Sequence, residues 1–103
     1  HRVAGGDVNP YLFIAAVLGA ALIGIEDQMQ PPPPIRGNAY DQDLKQIPST
    51  WAGAIDRFEH SPIARRIFPQ MLVDNFVMTK RQELRLMGDI PEADHWKTYL
   101  GTV

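Results

Sequence analysis

Residues 11–25 constrain this chain more than any other feature: fifteen successive positions carry no charge and are dominated by Leu, Ile, Val and Ala. Asn9 and Pro10 just before them make a helix start, because an Asn side chain accepts hydrogen bonds from free backbone N–H groups and a proline at the first helical position has no N–H to leave unsatisfied. A helix over residues 9–29 would be about 30 Å long. It is apolar round most of its circumference, so in water it must be buried on nearly every side. The rest of the chain offers only three further helices, too few to surround it, and the remaining cover is expected from additional chain or from another subunit. A membrane span is not expected. The run falls short of the roughly 20 residues a bilayer needs, contains Gly19 and Gly24, and follows no basic leader. Glu26 and Asp27 sit at the end of the helix that the dipole makes unfavourable for acids, and mark where it meets solvent.

At 103 residues the chain is one small domain at most, and 45% hydrophobic with 21% charged residues is a folding composition rather than a disordered one. A net charge of −2 supplies no basic face for nucleic acid or for an anionic membrane. With no cysteine there is no disulfide, thiolate zinc site or cysteine nucleophile, which favours the cytoplasm. The opening His1 and the residues after it read like the inside of a domain, so a fragment is expected.

Downstream, four prolines at 31–34 stop the first helix and impose an extended spacer. Residues 37–48 lack periodicity and read as an ordered loop. Ser49 or Thr50 caps a helix over 49–59 that carries Trp51, Ile55 and Phe58 on one face. His60-Ser61-Pro62 breaks it, and residues 63–68 lead to Pro69. Leu72, Val73, Phe76, Val77, Leu84 and Met87 form the stripe of a second long helix, 69–87, with Gly88 as its C-cap. Asp89 followed by Glu92 fits a capping box opening a last helix, 90–100, that bears Trp96, Tyr99 and Leu100. The fold class is therefore mainly α, about four helices with proline-rich and irregular connections and no strand.

Spacing alone gives little chemistry. His1, His60 and His95 have no metal-ligand pattern, and solvated or capping roles suit them better, so no metal is assigned to this chain. Gly5 and Gly6 lack the spacing of a phosphate loop and read as turn glycines. Residues 31–36 satisfy P-x-x-P-x-Arg, a polyproline ligand pattern that chance produces often; a rigid linker is the plainer reading. Asp41 and Asp43 are turn formers rather than cation ligands. Lys80, Arg81, Glu83 and Arg85 read as the wet face of the second long helix, and Trp51, Trp96 and Tyr99 as core or interface aromatics.

The order of features is more specific than any one of them. The stretch from His1-Arg2-Val3-Ala4-Gly5-Gly6-Asp7-Val8 through Asn9-Pro10-Tyr11-Leu12 leads into an alanine-rich helix ending Gly24-Ile25-Glu26. A proline break, Asn38-Ala39-Tyr40, the Ile47-Pro48 step, a long helix with Lys80 and Glu83, and an aromatic close near Tyr99 follow. This resembles the C-terminal, helical part of the α+β catalytic domain of the glutamine synthetase family over essentially residues 1–103. Its details are similar to the branch that includes γ-glutamylpolyamine synthetases.

The resemblance implies an ATP-dependent ligase. Glutamate is phosphorylated on its γ-carboxylate, and ammonia or an amine then displaces phosphate. Magnesium or manganese assists in the full-length enzyme, and neither ATP nor metal is expected on this segment alone. It also implies homo-oligomeric subunits and the rest of the catalytic domain as partners. Arg2 matches the family arginine that reaches glutamate and the transferring phosphoryl group, a task suited to a planar, permanently charged guanidinium. Asn9, Pro10 and Tyr11 would start the helix and support the loop carrying Arg2. The other catalytic strands and ligands of the family have no counterpart here, so the segment alone is expected to be inactive. The alternative is a stand-alone helical interaction module using the apolar helix and the proline-rich spacer.

Overall fold

A computed structural model of the chain describes residues 4–6 and 8–100, and among them every regular element is helical. The order is α1 (Pro10–Glu26), a 3-10 turn (Ala39–Asp41), α2 (Trp51–Glu59), α3 (Pro62–Ile67), α4 (Gln70–Met87), a second 3-10 turn (Glu92–Asp94) and α5 (His95–Tyr99). No helix among the described residues is long and apolar enough to cross a membrane.

The helix starts follow local chemistry. The Asn9 side chain accepts from the N–H groups of Tyr11 and Leu12 at 3.0 and 3.2 Å, with Pro10 as the first helical residue. Thr50 Oγ1 accepts from Gly53 N–H at 3.1 Å and opens α2. α1 ends three residues before the expected Met29. Gln28 adopts a left-handed φ of 49°, its N–H bonds to the Ile25 carbonyl at 3.1 Å, and that of Met29 bonds to the Gly24 carbonyl at 2.9 Å. This paired arrangement is the Schellman closure of a helix end.

Two expectations need correction, while Gly88 caps α4 as expected, with a geometry of its own. Residues 63–68 are not a plain connector: Pro62–Ile67 is helical, because Ser61 Oγ accepts from Ala64 N–H at 3.1 Å and Pro62 occupies the first helical position. Gly88 stands at the C-cap of α4 but in right-handed geometry, φ −59° and ψ −28°, so the chain winds out through N–H bonds from Gly88 to Arg85 and from Ile90 to Met87 instead of reversing. The capping box at Asp89 and Glu92 does not form. Pro91 intervenes and disfavours helical backbone at Ile90 before it, so a 3-10 turn begins at Glu92 and α5 only at His95, without a side-chain cap.

α2 packs on α4, and α1 on α3. The core is Ile55, Phe68, Val73 and Val77, with Trp51, Phe58, Leu72 and Leu84 partly buried around it. Phe58 meets the Phe76 ring edge-on at 5.5 Å between centroids and the tilted Phe68 ring at 6.2 Å. α2 and α4 thus bury, wholly or in part, most of the stripes that their periodicity marks, with Phe76 left 36% exposed. α1 does not: Ile23 is its one buried residue, and a face of Tyr11, Ile14, Leu18, Leu22 and Ile25 stays exposed.

Candidate functional site

The residues expected to be functional lie at or just before the start of α1. Arg2 lies outside the described residues. Asn9 and Pro10 act at the helix start as their chemistry requires, while the Tyr11 ring is 84% exposed on the outward face.

Two features hold α1 in place. Gly19 faces α3 so closely that a Cβ there would stand 2.6 Å from Ile67 Cγ2 and 2.9 Å from Cγ1, which makes glycine a condition of this helix approach. At the helix end Arg66, from α3, forks onto Asp27 with Nη1 at 2.6 Å from Oδ2 and Nη2 at 3.0 Å from Oδ1, and Nη2 also reaches Glu26 Oε2 at 3.3 Å. The Arg66 hydrogen bonds hold the Asp27 carboxyl below its usual range, and Asp27 in turn raises the guanidinium further above its own. A cation therefore sits where the α1 dipole favours one and balances two acids placed at its unfavourable end.

A second charged group joins α2 to α4. Asp56, Glu59 and His60 bring one ligand atom each within 4.8 Å of the others. Arg81 of α4 engages the two carboxylates, donating to both Glu59 oxygens, at 2.9 Å to Oε1, with Nη2 3.7 Å from Asp56 Oδ1. The guanidinium between these two carboxylates makes the group an interhelical bridge. His60 Nδ1 lies 2.9 Å from the Asp56 carbonyl oxygen at the end of α2, and His95 Nε2 lies 2.9 Å from that of Ile90. Both described histidines thus serve turns. Asp41 does too, its Oδ2 accepting from Asn38 Nδ2 at 3.0 Å.

Arg81 is therefore not simply part of a wet face, and Lys80 bonds Glu83 at 2.8 Å and stands 5.7 Å over the Phe76 ring. Sequence reasoning missed the partners of Arg66 and Arg81. The four phenylalanines share an apolar cleft of about 210 Å³ with Val8 and Leu12. It offers no polar side chain for chemistry.

Against known proteins, the model of the glutamine synthetase catalytic domain matches residues 1–99. The chain is 39% identical to a gamma-glutamylethanolamide synthetase of Streptomyces coelicolor, over 82% of this chain and 18% of that protein. It is 38% identical to a glutamate–isopropylamine ligase of a Pseudomonas species, over 82% and 19%. Identity to a type-1 glutamine synthetase of Dictyostelium discoideum is also 38%, over 82% and 17%. The chain thus spans less than a fifth of the length of these relatives. No solved structure matches it significantly.

Proposed function

This chain belongs to the glutamine synthetase family, and we propose that it serves as the C-terminal helical part of the catalytic domain of a carbon–nitrogen ligase. In that ligase ATP phosphorylates the γ-carboxylate of glutamate, and an amine displaces phosphate to form the γ-glutamyl amide. The observation that carries this reading is the family match over nearly the whole chain. An amine acceptor larger than ammonia is favoured, because two of the relatives are named for ethanolamide and isopropylamine chemistry; polyamines belong to the same class.

Arg2 is the residue assigned to chemistry here, contacting glutamate and the phosphoryl group as negative charge shifts between them. Asn9, Pro10 and Tyr11 start the helix behind it. ATP and a divalent magnesium or manganese ion are assigned to the rest of the enzyme, and the segment alone is expected to be inactive. Homo-oligomeric subunits and a cytoplasmic setting complete the reading. The exposed face of α1 supports it as well, since an apolar helix of this kind requires cover from more protein than these residues provide.

The test is an assay of a full-length ligase carrying this segment, with ammonia, ethanolamine and polyamines offered in turn. Turnover is expected with an amine, and Arg2→Ala is expected to reduce it at least ~100-fold, the effect of removing one oxyanion donor. Near-normal turnover in the variant removes Arg2 from the site. Absence of γ-glutamyl transfer to every acceptor would favour the stand-alone interaction module instead.

A further inference from the structure

We draw no further inference here: the strongest candidate, the outward apolar face of α1 formed by Tyr11, Ile14, Leu18, Leu22 and Ile25, has no partner among the described residues, and nothing in the structure shows what covers it.

Discussion

Gln28 occupies a backbone conformation that suits glycine. Its φ of 49° places it in the left-handed region, where a Cβ meets the following carbonyl oxygen at a cost of about 1–2 kcal/mol. The chain accepts this because the residue closes α1 through the bonds to Ile25 and Gly24. Glycine would relieve the clash while giving back part of the gain through the greater freedom of the unfolded chain. Gln28→Gly is therefore expected to stabilise the chain by roughly 0.5–1 kcal/mol, read as a rise in Tm of several degrees by circular dichroism. An unchanged or lower Tm would show that the Gln28 side chain contributes more than its backbone costs. The sequence alone gave no hint of this site, since glycine at this closure is the expected signal and Gln-Met-Gln is not. The Asn9-Pro10 start was legible because both of its physical causes are local.

Elements show the same division. α1, α2 and α4 could be read because each is long enough to display its period or carries an unmistakable cap. α3 could not, since six residues are fewer than two turns and its Ser61-Pro62 start looks like the end of the helix before it. Packing between elements was illegible altogether: Arg66 meets Asp27 across 39 positions, and no local rule joins them. Two predictions concern that contact between α1 and α3. Gly19→Val would drive new methyl groups into Ile67, with a destabilisation of about 1–3 kcal/mol for overpacking. Ile67→Ala in the same chain should recover part of the loss, so a double-mutant cycle by urea unfolding should give a coupling of at least ~0.5 kcal/mol. Strictly additive effects would mean that the helices do not approach this closely. The second prediction concerns pH. Because the folded-state Asp27 carboxyl lies below its unfolded value, its pairing with Arg66 stabilises the chain above the ordinary carboxylate range and is lost as pH falls through the lowered value. Tm measured from roughly pH 5 to pH 2 should therefore fall less steeply in Asp27→Asn than in the parent. Identical slopes would rule out a contribution of this exposed pair to acid sensitivity.

On the scale of the whole molecule, the apolar pattern and the architecture disagree, and the disagreement has physical consequences. The Cα radius of gyration is 16.4 Å, against about 13 Å for a compact domain of this length. Only seven apolar side chains among the described residues are buried, and one of them, Ile23, belongs to the most apolar helix of the chain. That helix instead turns Leu18 and Leu22, each 59% exposed, and Ile25, 75% exposed, toward water. A continuous face of this kind has no polar groups to hold a water layer and gains from meeting another apolar surface. The isolated chain is therefore expected to self-associate at micromolar concentration, seen in sedimentation velocity as species larger than a monomer. Leu18→Glu combined with Leu22→Glu puts two like charges on this face without touching the core of Ile55, Phe68, Val73 and Val77, and should restore the monomer while leaving the helical circular dichroism intact. A parent chain that sediments as a single monomer would show that α1 needs no cover. Association that persists in the double variant would place the contact on another surface, with the exposed Trp96 and Leu100 of the C-terminal segment next to be tested.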